Sequence, residues 1–289
     1  MDISIPTLSV SLQGPSDAPS VLLAHGFGQT RHAWDGTIAE LLKAGFQCIS
    51  YDARGHGQSA RNPPELAYQD RQFCDDLIEL AGALPQPPVL VAASMGGLAG
   101  MLAEARWPGL FRAMVLVDIT PRWDIRGVER ILAFMSAHPQ GFDSLEAAAD
   151  AIAAYLPHRP RKNSHSLQRV LERADDGRWY WHWDPRLVPE LGAIDDQQRQ
   201  AQMVQAATQI RCPVLLISGG RSDLVSADSI HEFLSLVPQA EHLQLANATH
   251  MLAGDDNTAF TAAVLHYLQT LPALDGNALP TSSEQVTGA

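Results

Sequence analysis

Short apolar runs alternate with amphipathic stretches through the first part of the chain and again near its end. Val21–Ala24, Phe46–Tyr51, Val89–Ala93 and Ala113–Val117 are apolar runs of strand length, too short for helices of ordinary size. Between them, residues 33–44 place Trp34, Ile38, Leu41 and Leu42 on one helical face, with Gly45 closing the helix. Residues 68–84 and 98–106 predict two further helices, and Pro85–Pro88 breaks the chain between them. Strands separated by single helices predict right-handed crossovers and a mostly parallel central sheet flanked by helices, which is the α/β class. Residues 3–12 alternate more weakly and predict one or two antiparallel edge strands ended by the turn Gly14-Pro15.

That rhythm stops at Thr120 and does not resume until after Ile210. Helical periodicity takes over at 126–137, 144–156, 164–174 and 195–208, with the aromatic stretch Trp179-Tyr180-Trp181-His182-Trp183 before the last of these. The segment is expected to be a helical cap over the carboxyl edge of the sheet. Pro213–Gly220 restores the strand pattern, followed by a helix over 226–236, a short strand at 241–245 and a helix over 255–271. The organisation expected is therefore a core of residues 1–119 and 211–272, a cap of 120–210, and a polar, disordered tail over 273–289. No internal repeat is present.

Composition narrows the partners more than the fold. The chain has 289 residues, 46% hydrophobic and 18% charged, which suits one large domain carrying an insertion. Acidic residues outnumber basic ones by 32 to 20, so a phosphate-binding face for nucleic acid is not expected. No apolar run is long enough for a membrane span. The opening residues MDISIPTLSVSLQG carry no basic stretch ahead of an apolar core, so a cytoplasmic location is expected. Cys48, Cys74 and Cys212 are odd in number and widely spaced, which points to reduced, packed thiols and not to a disulfide frame or zinc site. Neither a metal nor a cofactor is expected, because no His/Cys spacing resembles a zinc site and GxGxxG and GxxxxGK are absent.

The candidate chemistry begins at Ala92-Ala93-Ser94-Met95-Gly96-Gly97, where a strand runs directly into a helix. A turn that sharp strains the residue at its apex and needs small neighbours two positions either side, a demand that Ala92 and Gly96 meet. The motif thereby presents the Ser94 hydroxyl at the carboxyl edge of the sheet, beside the N–H groups of a helix start. An acyl-transfer site built on such a nucleophile needs a base, a group to orient it, and donors for an oxyanion. His250 is the candidate base, in the loop between the last strand and the last helix. His25 and His56 lie in glycine loops and are expected to shape them. Two acids end strands within reach. Asp223 in GGRSDLVS is preferred, because its glycine-rich loop can bend toward the next connection, and Asp118 is the alternative, with a possible role anchoring the cap. The oxyanion donors expected are the Met95 N–H and the Phe27 N–H.

HGFG at 25–28, DARGHGQS at 52–59, the AxSMGG elbow, GGRSDLVS and the late His250 together resemble the α/β-hydrolase family. The resemblance is greatest to capped serine-hydrolase members such as bacterial carboxylesterases, enol-lactone hydrolases and carrier-protein methyl esterases, over residues 18–119 and 210–271. It implies the α/β-hydrolase fold, a structural role for the 52–59 loop, and a Ser94–Asp223–His250 triad. It also implies a small-molecule substrate: an ester, thioester or lactone with an apolar acyl part. Phe27, Trp181 and Trp183 are candidate substrate-binding residues, although packing in the cap's own core is the safer reading of the Trp cluster. Other activities hosted by the same fold are C–C bond hydrolysis, perhydrolysis and cofactor-free oxygenation, and a non-catalytic receptor is the alternative outside enzymology. Epoxide hydrolase and dehalogenase chemistry is disfavoured by Ser94, where those enzymes use Asp. The oligomeric state is not legible.

Overall fold

The computed structural model describes residues 8–156, 163–193, 195–246, 248 and 258–272. Seven strands form the central sheet: β1 (Ser9–Gln13), β2 (Ser20–Ala24), β3 (Gln47–Asp52), β4 (Val89–Ala93), β5 (Ala113–Val117), β8 (Val214–Gly219) and β9 (Ala240–Leu245), in the order β1-β3-β2-β4-β5-β8-β9. Among the described residues of this sheet only β1 runs antiparallel, pairing with β3 at the edge, and the other neighbours are parallel.

Successive strand residues point to opposite faces, and each face has its own apolar layer. Leu22, Leu90, Met114 and Leu216 pack on one side against α2 (Asp70–Gly82), α3 (Met95–Arg106), α7 (Asp196–Ala207) and α8 (Ala227–Leu236). Val21, Leu23, Val91, Val115 and Ile217 pack on the other, against α1 (Asp35–Lys43) and α9 (Thr258–Thr270). Both faces are covered, which is why these strands read as continuous apolar runs. Cys48, Cys74 and Cys212 are free and buried in these layers, where desolvation pushes their thiols up to about 12, 11 and 12.

Between β5 and β8 lie α4 (Ile125–Ser136), α5 (Leu145–Tyr155), α6 (Leu187–Gly192) and α7. One expectation fails in this segment. The helix predicted over 164–174 is a 3₁₀ turn, Ser164–Arg169, followed by a two-stranded hairpin of β6 (Leu171–Arg173) and β7 (Trp179–Trp181). Asp175-Asp176-Gly177 closes the hairpin with Gly177 at φ +83°. An Asp-Gly turn flanked by β-prone aromatics outweighs the helical propensity of Leu171–Ala174. Trp179 and Trp181 turn toward Phe142, Leu145 and Leu171 in a small separate core, as alternation requires.

The segment docks on loops at the carboxyl edge of the sheet. The Asp124 N–H donates to the Leu224 carbonyl (3.0 Å), and a Cβ at Gly127 would meet the Asp223 carbonyl at 2.3 Å. At the far end of α4, the Met135 methyl lies 2.5 Å from where a Cβ of Gly28 would stand. Helix α4 therefore crosses from the loop after β8 to the loop after β2. No helix among the described residues is long and apolar enough to cross a membrane.

Candidate active site

Ser94 occupies the sharp turn between β4 and α3, with φ 46° and ψ −116°. This region is disfavoured for any residue with a Cβ, so the surrounding structure must hold it there. The Ser94 N–H donates to the Val117 carbonyl (3.2 Å) and the Ser94 carbonyl accepts from the Leu98 N–H (3.0 Å), tying the turn to β5 and to α3. A Cβ at Gly96 would come within 2.7 Å of the Ala24 carbonyl, so the second small position admits glycine alone without a shift. The first position tolerates a methyl group: Ala92 is fully buried within the apolar layer beneath α3. That is why AxSMG serves here as well as GxSMG.

The loop after β2 lies against the serine, with a Gly26 Cβ position 3.3 Å from the Ser94 Cβ. Its N–H donates to Gln29 Oε1 (3.0 Å) and its carbonyl accepts from the Gln29 N–H (3.1 Å). Among the described residues, neither the Phe27 N–H nor the Met95 N–H donates to a protein acceptor. Both expected oxyanion donors are thus unengaged in the neighbourhood of Ser94.

The two candidate acids differ in setting. Asp118 ends β5, is fully buried and has φ 49°, a second strained non-glycine residue beside Ser94. Its carboxylate accepts from the Gly219 N–H (2.8 Å) and the Ser222 hydroxyl (2.5 Å), so it reaches across the end of β8. The loop that holds it is joined to the next one: Gly220 N–H donates to the Leu245 carbonyl (2.9 Å) and Arg221 N–H to the Ala248 carbonyl (2.9 Å). Asp223 lies in the same loop, but its carboxylate, 32% exposed, forms an ion pair with Arg130 of α4. His250 lies outside the described residues, two positions beyond Ala248.

His25 and His56 do hold the glycine loops. Burial lowers the pKa of both, that of His56 well below the ordinary value, with His25 and His182 adding repulsion at His56. His182 was not foreseen as a site residue. It is buried, 5.9 Å from His56 between ring centroids, and desolvation lowers its pKa to about 4. The one available signal was its position on the opposite face of the strand from the tryptophans.

Phe27 and Trp183 make ring contact at 5.9 Å, and Trp183 stacks on Trp181 at 4.7 Å and 12°. Trp183 is 4% exposed and packs within the main core. Trp181 touches Phe134 of α4 and Phe142 while remaining partly open. Phe27, Trp181 and the α4 residues Val128, Ile131 and Met135 are all half-buried against the core. Met135 and its α4 neighbours escaped sequence analysis because a stripe at spacings of three and four residues looks the same facing a core or a cavity. Among the described residues no cluster of His, Cys, Asp or Glu is arranged to hold a metal ion.

A seven-stranded, mostly parallel sheet with a strained serine at the turn after its central strand defines the α/β-hydrolase fold. Residues 21–264 match the model of the alpha/beta hydrolase family, and the chain belongs to that family. It is 28% identical over 255 residues to the 2-(acetamidomethylene)succinate hydrolase of Mesorhizobium japonicum, covering 86% of this chain and 87% of the relative. It is also 28% identical over 279 residues to esterase Rv0045c of Mycobacterium tuberculosis, covering 90% and 86%. The crystal structure of E-2-(acetamidomethylene)succinate hydrolase shares the fold with a TM-score of 0.77 and 23% identity, over 90% of this chain and 94% of that one.

Proposed function

We propose that the chain is a serine hydrolase of small to medium carboxylic esters, thioesters or lactones with an apolar acyl part. The observation that carries this reading is the strained Ser94 turn with two unengaged N–H groups, of Phe27 and Met95, in its neighbourhood. Family membership and the hydrolase and esterase relatives support it. In this reading His250 takes the proton of Ser94 as its oxygen attacks the substrate carbonyl. The oxyanion is received by the two N–H groups, a contribution of about 3–4 kcal/mol per donor in comparable sites. Collapse releases the alcohol, thiol or lactone ring oxygen, protonated by His250. Water, activated by the same histidine, then frees the acid.

We assign the orienting carboxylate to Asp118 in preference to Asp223. Asp118 is shielded from solvent, and the loop it grips is hydrogen-bonded to the segment leading to His250. A buried carboxylate stabilises a neighbouring imidazolium more strongly than one partly solvated and already paired with Arg130. Phe27, Val128, Ile131, Met135 and Trp181 are apolar and only half-buried against the core, which supports an apolar acyl group. The test is a fluorophosphonate probe together with a panel of nitrophenyl esters, thioesters and lactones. Single labelling at Ser94, abolished in Ser94→Ala, is the expected result, and labelling that survives the substitution refutes the nucleophile.

A further inference from the structure

The Phe27 N–H is aimed by the peptide planes of its own loop, and three histidines grip those planes in succession. His25 Nε2 accepts from the Ala53 N–H (2.9 Å), which puts its proton on Nδ1, and Nδ1 donates to the Gly26 carbonyl (2.8 Å). Because a trans peptide is planar, holding the Gly26 carbonyl sends the Phe27 N–H the opposite way. His56 Nε2 accepts from the Gly28 N–H (3.2 Å), with its Nδ1 proton directed to the Arg54 carbonyl (3.1 Å), and so holds the next plane. His182 Nδ1 accepts from the Gly57 N–H (2.7 Å), leaving its proton on Nε2, which faces the Gly28 carbonyl at 3.4 Å and holds the third plane.

Two of the three histidines lie in the core loops, whereas His182 arrives from the cap, 154 residues after Gly28. We propose that His182 is a positioning residue for the oxyanion loop, so that docking of the cap and aiming of the Phe27 N–H are one event. The oxyanion part of this inference rests on the serine-hydrolase reading; the grip on the loop does not.

Two substitutions separate the roles of the ring nitrogens. Asparagine at 182 keeps an acceptor near the Nδ1 position for Gly57 but offers no donor to Gly28. Glutamine extends an amide N–H to the Nε2 position. His182→Asn and His182→Phe are expected to lower kcat about tenfold with KM changed less than about twofold, while His182→Gln stays within about threefold of wild type. A merely structural anchor to Gly57 would be rescued by asparagine, so wild-type kcat in His182→Asn overturns the proposal, as does a loss carried wholly by KM. Hydrogen exchange gives a readout that needs no turnover: peptides covering 26–30 should exchange faster in His182→Asn than in His182→Gln. Equal protection in the two variants also overturns it. Wild-type protein that neither hydrolyses the panel nor labels at Ser94 would instead defeat the hydrolase reading, with the exchange experiment still deciding whether His182 holds the loop.

Discussion

Acid should destabilise this protein through its buried histidines, and His182 allows the effect to be worked out. Burial is the main cause of its lowered pKa, reinforced by His25 and Arg61 and opposed by the Gly28 carbonyl and Asp52. With a folded value of about 4 against 6.5, the unfolded chain binds the proton first. Stability from this group is therefore complete above the unfolded pKa, falls as pH drops below 6.5, and levels off once the folded value is passed. The slope approaches about 1.4 kcal/mol per pH unit, which amounts to a loss of about 2 kcal/mol between roughly pH 8 and pH 5. His25 and His56 shift in the same direction, so the wild-type loss should exceed that figure. Urea unfolding of wild type and His182→Gln across this interval measures it. Glutamine does not titrate, so the stability difference between the two proteins should shrink by about 2 kcal/mol on acidification. Parallel stability curves would refute the buried, neutral histidine.

Ser94→Ala should lose on the order of 10⁴–10⁶ in kcat on any ester that wild type hydrolyses, measured on folded protein. Asp118→Asn should cost about 10⁴-fold in kcat and Asp223→Asn only about tenfold, through loss of its pair with Arg130; the reverse order would return the acid to Asp223. Gly96→Ala should destabilise by about 1–3 kcal/mol in urea unfolding, because the new methyl meets the Ala24 backbone of a central strand that cannot move aside. Met135→Ala and Trp181→Ala should shift the preferred acyl length toward longer chains while probe labelling of Ser94 persists. Unchanged selectivity would mark both side chains as packing residues only.

Much of the fold was legible because its signals are local. An apolar strand buried on two faces, the small residues around Ser94 and the Gly-rich strand ends each carry their physical reason within a few positions. The order of strands and helices outside residues 120–210 follows from those signals. Within that segment the Asp-Gly hairpin at 171–181 was missed, since a helical pattern and a short aromatic hairpin compete closely when neither has a long run to decide it. The acids show the same limit more sharply. Sequence order puts both Asp118 and Asp223 just past a strand and favours Asp223 for its glycine-rich loop, whereas tertiary packing buries Asp118 and turns Asp223 to Arg130.

His182 lies furthest from what a linear reading reaches. Nothing near it in the chain predicts a neutral imidazole gripping Gly57 and Gly28, because burial and hydrogen-bond partners are supplied by loops more than a hundred residues away. The sequence by itself determined the layered sheet and the sharp turn at Ser94, since backbone sterics and apolar periodicity act over a few residues. Only the tertiary structure decided which carboxylate is shielded, which aromatics face the core, and which histidines hold the loop after β2. Desolvation and electrostatic coupling depend on what surrounds a group in space, and chain neighbours do not specify that.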